Sequence, residues 1–174
     1  MKDYDLVIVG AGSGNMLPGP ETENLRVAII ESDRFGGTCL NRGCIPSKMF
    51  VLTADIAMSI RRAGEFGIDA ALSGVDWPAI RDRVFGRIDP IHQQGVDYRR
   101  STGVDVYLGE GRFVGERTLE VDGTVLRGER VVVVAGSRPA IPDIPGLADV
   151  PYETSDTIMR IAALPKSMLV LGGG

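Results

Sequence analysis

Cys39 and Cys44 lie five positions apart in the stretch Gly36-Gly37-Thr38-Cys39-Leu40-Asn41-Arg42-Gly43-Cys44-Ile45-Pro46-Ser47-Lys48. A spacer this short lets the two Cα atoms come within the ~4.4–6.8 Å that a disulfide requires. Cys44 stands where a helix is expected to begin, since Pro46 is tolerated in a first turn. The N–H groups of a helix start favour a thiolate there. Lys48 falls one turn further along the same face and adds positive charge beside that sulfur. A close pair of this kind carries out thiol–disulfide chemistry, binds a metal, or packs as two inert thiols. A closed zinc site asks for four Cys or His ligands, and the chain holds two Cys and one His. Redox chemistry is the expectation, with Cys39 and Cys44 as reacting groups and Lys48 beside them.

A second constellation opens the chain. Gly10-Ala11-Gly12-Ser13-Gly14-Asn15 follows an apolar run at 6–9. The first glycine of such a loop permits a tight turn, and the second lets the backbone approach a pyrophosphate at a helix N-terminus. Glu31 closes the next apolar run, 26–30, at about the ~20-residue spacing of a carboxylate that bonds a ribose hydroxyl. Gly10, Gly12, Ser13, Gly14 and Glu31 are therefore candidate dinucleotide-binding residues. The alternative is a glycine-rich turn with no ligand. Asn15 occupies the place of the third glycine, where close helix–strand packing would be needed. His92, the one histidine, is expected on a solvated helix face, and Trp77 is expected to pack at a helix start. Tyr98-Arg99-Arg100 reads as a solvated face or as a substrate or dimer contact.

These groups need elements to position them. Run 6–9 is apolar throughout and run 26–30 is apolar after Arg26, as expected for parallel strands buried on both faces. Between them Pro18-Gly19-Pro20 limits the first helix to about 12–17, since an interior proline costs a helix roughly 3 kcal/mol. A helix is expected over 44–66. Another should start at Asp76 as N-cap, with Pro78 just inside, bend near Gly86 and Pro90, and end before Gly103. Short strands at 104–108, 111–114, 118–121, 124–126 and 131–135 read as a β-meander. A connector follows at 140–151, then a short helix capped by Ser155 and reaching 163, then a strand at 168–171. The expected class is α/β, a parallel sheet with an inserted β-meander. Val170-Leu171-Gly172-Gly173-Gly174 repeats the device of Ile8-Val9-Gly10-Ala11-Gly12, so the chain reads as one complete unit and the first residues of a second.

The 174 residues suffice for one domain with a real core. Nineteen Lys and Arg against 23 Asp and Glu give a formal charge of −4, with the cations interspersed. Neither nucleic acid nor an anionic membrane is an expected partner, because both call for a clustered cationic face. No apolar run reaches the ~20 residues of a membrane span, and residues 1–5 do not read as a signal peptide. The cytoplasm is the expected compartment, where a close cysteine pair is more often catalytic or metal-binding than a structural crosslink.

The stretch from Gly36 to Lys48 resembles the active-site motif of the flavoprotein disulfide reductases, the pyridine nucleotide-disulfide oxidoreductases. Gly109-Glu110-Gly111-Arg112-Phe113 is similar to that family's segment beside the adenine. Val134-Ala135-Gly136-Ser137-Arg138-Pro139 resembles its second flavin signature, with Ala135 where Thr is usual. Glu153-Thr154-Ser155-Asp156 resembles the run leading into its NAD(P) domain. Arg42 departs from the small or apolar residue usual between the cysteines. Within the family, Gly12-Ser13-Gly14-Asn15, the shortened first helix and Asp97-Tyr98-Arg99-Arg100 resemble the branch acting on mycothione.

The resemblance implies a Rossmann-like FAD-binding domain over 1–150, incomplete without a later segment. It implies a connector and first strand of an NAD(P)-binding domain over 151–174. FAD would be held by Gly10, Gly12, Ser13, Gly14, Glu31, Gly37, Thr38, Cys39, Cys44, Lys48, Gly111, Ala135, Gly136 and Ser137. NADPH or NADH would bind beyond Gly174. Cys39 and Cys44 would form the redox disulfide: Cys44 would face the flavin, Cys39 would attack a small-molecule disulfide, and Lys48 would lie near flavin N5. Mycothione is the expected substrate, with dihydrolipoamide dehydrogenase activity or a non-catalytic flavin-binding fragment as alternatives. A homodimer is implied, as is a general-acid His with its Glu partner outside this chain, so the chain alone is expected not to turn over.

Overall fold

The computed structural model describes residues 1–172. The two apolar runs form parallel strands β1 (Lys2–Val9) and β2 (Val27–Glu31), in register with Leu6 opposite Val27 and Ile8 opposite Ile29. Val7, Ile8, Ala28 and Ile29 are fully buried. Withdrawing a Val or Ile side chain from water contributes ~1.5–3 kcal/mol, so a run apolar on both faces is stable only in the middle of a layered sheet.

Three helices follow: α1 (Gly37–Arg42), α2 (Cys44–Arg62) and α3 (Trp77–Ser101). A 3-10 turn, Ala63–Phe66, prolongs α2 to a left-handed Gly67. Asp76 caps α3 as expected, its carboxylate accepting from Ala79 N at 3.0 Å. The helix runs through Gly86 and Pro90 as one element of 25 residues.

The remaining strands are β3 (Asp105–Leu108), β4 (Arg112–Gly115), β5 (Thr118–Val121) and β6 (Thr124–Val133). The sheet order is β3-β2-β1-β6-β5-β4. The strands from β3 to β6 in that order pair in parallel, and β5 and β4 continue antiparallel. This is the α/β, Rossmann-like class expected, with two corrections. The 104–108 segment is not part of the meander; it is the outer parallel strand, paired with β2. Segments 124–126 and 131–135 are not two strands, because β6 is continuous through the polar residues 127–130. Its start pairs with β5 and its length with β1, and Gly128 passes where a Cβ would come within 3.0 Å of Val7 Cγ2.

One sheet face packs Leu6, Ile8, Val27 and Ile29 against Phe35 and against Val96 of α3. The other packs Val7, Ala28 and Ile30 against Leu119, Val121 and Leu126, so the antiparallel strands curl back over the sheet. A third cluster joins the helices, with Val84, Phe85 and Ile88 of α3 against Leu40, Met49 and Phe50.

By length and mean hydropathy the helical stretch Gly37–Phe66 is long and apolar enough to cross a membrane, contrary to the expectation from the apolar runs alone. It is interrupted at Gly43 and carries Arg42, Lys48, Asp55, Arg61 and Arg62. Its apolar side is thus a stripe, and that stripe lines a groove of about 780 Å³ with Trp77, Ile80 and Met159.

The last segment is less regular than expected. In place of a helix from Ser155 to 163 there is one 3-10 turn, Ile158–Arg160. Residues 168–171 are exposed and are not a strand. A strand needs a neighbour for its N–H and C=O groups, and the described strands offer none to this segment. The repeated glycine turn there includes Gly173 and Gly174, outside the described residues.

Candidate active site

Three turns meet where the chain leaves the carboxyl ends of β1, β2 and β6, and they line a cleft of about 590 Å³. Because β1 has β2 on one side and β6 on the other, this is a switch point, where open parallel sheets bind ligands. Gly10 has φ +109°, and a Cβ on it would come 2.4 Å from Val134 O. Only glycine fits there. A Cβ on Gly14 would come 2.6 Å from Val134 Cγ2 and 2.7 Å from Ile8 Cγ2, so the close packing missing at Asn15 is made one residue earlier. The first helix is shorter than the expected 12–17, a single 3-10 turn at Ser13–Met16. Four residues build little macrodipole, so a pyrophosphate here would rest on the backbone of the turn.

Glu31 is set at the end of β2 by two backbone donors. Its Oε2 accepts from Ala11 N at 2.7 Å and its Oε1 from Asp33 N at 2.9 Å. Both oxygens keep further acceptor capacity, and the residue lines the cleft.

The cysteine segment is joined to the glycine loop through backbone. Gly36 N donates to Ala11 O at 3.0 Å. Gly37, at φ +61°, is so close that a Cβ on it would come 2.6 Å from Gly12 Cα. Cys39 lies within α1 and Cys44 begins α2, so the spacer is helical up to Arg42. Gly43 makes the corner between the two helices, where a Cβ would be 2.9 Å from Thr38 O. Both sulfurs are present as free, exposed thiols lining the cleft. Their hydrogen bond raises the Cys39 pKa above the ordinary thiol value, with loss of hydration adding to the rise and the Cys44 backbone N–H opposing it.

Asn41, passed over in the sequence, and His92, misplaced by it, hold this segment in place. Asn41, 3% exposed, donates from Nδ2 to Phe35 O and Gly37 O, each at 3.0 Å. His92, expected to face solvent, is half-buried on α3 and its Nδ1 accepts from Phe35 N at 2.9 Å. The His92 contact has no local signal, because its partner is 57 positions away, whereas the Asn41 partners lie four and six positions before it. Arg42, the departure from the family pattern, bonds Asp33 beyond Glu31 and lies 3.8 Å from Asp156 on the connector.

Of the residues named from sequence, Gly10, Gly12, Ser13, Glu31, Gly37, Thr38, Cys39, Cys44, Ala135, Gly136 and Ser137 line the cleft together. Gly14 is buried behind it. Gly111 packs against Ile30 and Leu119, away from the cleft lining. Lys48 is exposed on α2, also outside that lining. Ser32, Asp33, Arg34 and Arg138 line the cleft without having been singled out. A glycine cradle that any Cβ would fill, a strand-end carboxylate and a thiol pair along one cleft suit an extended dinucleotide such as FAD.

Comparison with known proteins agrees with this geometry. The chain is similar to the mycothione reductases of two Mycobacterium tuberculosis strains, CDC 1551 / Oshkosh and H37Rv, at 48% identity over 100% of this chain and 39% of theirs. It is 32% identical to the dihydrolipoyl dehydrogenase of Acholeplasma laidlawii, over 99% of this chain and 54% of that protein. It is 29% identical to the mercuric reductase of Staphylococcus aureus, over 99% of this chain and 32% of that protein. The chain thus spans from about a third to about half of the length of these relatives. Residues 4–174 match the model of the pyridine nucleotide-disulphide oxidoreductases, and the chain belongs to that family.

Proposed function

We propose that this chain is the FAD-binding, dithiol-bearing part of a flavoprotein disulfide reductase whose substrate is mycothione. The observation that carries the reading is the contact of Gly37 with Gly12, which puts the thiol-bearing helix directly against the glycine loop. Gly10, Gly12 and Ser13 would hold the pyrophosphate, Glu31 a ribose hydroxyl, and Ala135, Gly136 and Ser137 the opposite side of the cleft. When bound, FAD supplies the two-electron relay between a nicotinamide and the sulfur pair.

The chemistry of this chain's own residues lies in the thiols. In the reduced pair, Cys44 at the start of α2 raises the pKa of the Cys39 thiol beside it. Once Cys39 loses its proton, its sulfur attacks a substrate disulfide, forming a mixed disulfide and expelling one substrate thiolate. Cys44 then attacks Cys39 Sγ, closing the Cys39 to Cys44 disulfide and expelling the second thiolate. Each departing thiolate needs a proton. His92 is tied to Phe35 N, so the acid must come from outside these 174 residues, and the chain alone does not turn over.

The nicotinamide, NADPH or NADH, would be held by a domain that residues 151–174 lead into. The working enzyme would be a cytoplasmic homodimer acting on a small molecule. The 48% identity to mycothione reductases against 32% to a dihydrolipoyl dehydrogenase favours mycothione over lipoamide. Full-length protein, assayed anaerobically with each nicotinamide, is expected to reduce mycothione faster than it reduces lipoamide. Faster turnover with lipoamide would overturn the substrate reading, and purification with no flavin band would overturn the whole.

A further inference from the structure

We propose that Arg99 is the positioning residue of the pyrophosphate-binding turn, taking the place of the helix that this loop lacks. The inference rests on the FAD reading above, and it concerns how the loop is held.

In an α-helix begun at Ser13, the carbonyl of Asn15 would accept from the N–H of residue 19 and that of Pro18 from residue 22. Neither bond is made. Gly19 N donates to Thr22 Oγ1 at 2.9 Å, and Thr22 N donates to Gly19 O at 2.9 Å. Pro18 and Pro20 have no N–H with which to continue a ladder. After the single turn Ser13–Met16, the carbonyls of Asn15 and Pro18 therefore have no backbone donor among the described residues.

The guanidinium of Arg99 supplies those donors from outside. Its Nε donates to Asn15 Oδ1 at 2.6 Å, one terminal nitrogen donates to Pro18 O at 3.1 Å, and the other donates to Asn15 O. One planar fork thus satisfies both orphaned carbonyls and the side chain standing where the third glycine would be. Only an arginine has donors in that arrangement. The platform is firm: Val96, one turn earlier on α3, is fully buried against the sheet, and a Cβ on Gly95 would lie 3.2 Å from the Phe35 ring. Arg99 therefore holds Ser13 and Gly14 at a fixed height above β1, acting through Asn15 and Pro18.

The test uses full-length protein, stripped of flavin and titrated with FAD. The variants are Arg99→Ala, Arg99→Lys, Asn15→Ala and the double Asn15→Ala/Arg99→Ala, with Arg100→Ala as neighbouring control. Binding is followed by flavin fluorescence and the pyrophosphate by its 31P resonances. Arg99→Ala is expected to weaken FAD binding by about tenfold or more and to shift or broaden the 31P lines. Arg99→Lys should recover part of the affinity, Asn15→Ala should lose less than Arg99→Ala, and the double variant should lose less than the sum. Arg99→Ala binding FAD within twofold of the parent, with unchanged 31P lines, would overturn the proposal. So would an equal loss from Arg100→Ala. If Arg99→Ala does not fold, additive effects of Asn15→Ala and Arg99→Lys in their double variant would overturn it. A parent protein that binds no FAD would instead overturn the functional reading beneath it.

Discussion

Replacing Gly37 by Ala probes the join between the thiol helix and the glycine loop. The new methyl would lie 2.6 Å from Gly12 Cα, about 1 Å inside the ~3.5–4.0 Å optimum for two carbons. The obstacle is backbone, so no side-chain rotation relieves it. Alanine at φ +61° adds ~1–2 kcal/mol of left-handed strain, and overpacking of this kind costs ~1–3 kcal/mol. The expected sum is ~2–5 kcal/mol, or roughly 5–15 °C in Tm for a chain of this size. If the protein relaxes instead, the thiols move from the flavin by a fraction of an ångström to 1 Å, and a misplacement of that order costs about 10²-fold in rate. The assay pairs thermal unfolding and FAD titration with the rate of flavin-mediated reduction of the cysteines. Gly86→Ala is the control, since nothing lies within 4 Å of a Cβ there and the site is an exposed helix interior; it should stabilise by ~0.5–1 kcal/mol. Gly37→Ala with the parent's melting point, flavin affinity and rate would refute the reasoning.

Three further outcomes follow from the same contacts. Cys44→Ala removes the main cause of the raised Cys39 pKa, so the pH midpoint for alkylation of Cys39 should move down; an unchanged or higher midpoint would contradict the thiol pairing. Asp89 is held below the usual carboxylate range chiefly by Arg160 and then by Arg34. Its stabilisation is therefore present above the ordinary Asp pKa and lost as pH falls through the depressed value. Melting of the parent against Asp89→Asn should show a gap near neutrality that closes on acidification below about pH 4. The gap should be modest, because the pair is over a third exposed. His92→Ala leaves Phe35 N without its acceptor and should cost ~1–3 kcal/mol in denaturant unfolding; a solvated helix histidine would cost almost nothing.

The parts of the molecule legible in the sequence are those written in local pattern. The cores of β1 and β2, 6–9 and 27–30, are unbroken apolar runs, the cap at Asp76 is a side chain three residues from its donor, and the thiol pair and glycine loop are short motifs. What was misread depends on distant partners. A four-residue strand such as 105–108 looks the same whether it joins β2 or a hairpin, and residues 127–130 look like a turn until β1 lies beside them. Strand 168–171 had the composition of a buried strand and no neighbour to bury it. In the site, the cleft-lining glycines were visible because their requirement is local. The roles of His92, Arg42 and Arg99 were not, because each serves a backbone group or an ion pair whose other half comes from another segment. Lys48 and Gly111 fell outside the cleft for a related reason: a residue's spacing from a motif does not say which way its helix or strand turns.

The central claim, that bound FAD exchanges electrons with Cys39 and Cys44, is tested most directly by anaerobic reductive titration of the FAD-loaded protein with thiol counting at each step. The account predicts that the first two electrons per flavin release two alkylatable thiols, both mapping to Cys39 and Cys44, while most of the oxidised-flavin absorbance remains. Complete bleaching of the flavin with no new thiols, or labelling at neither cysteine, would contradict it.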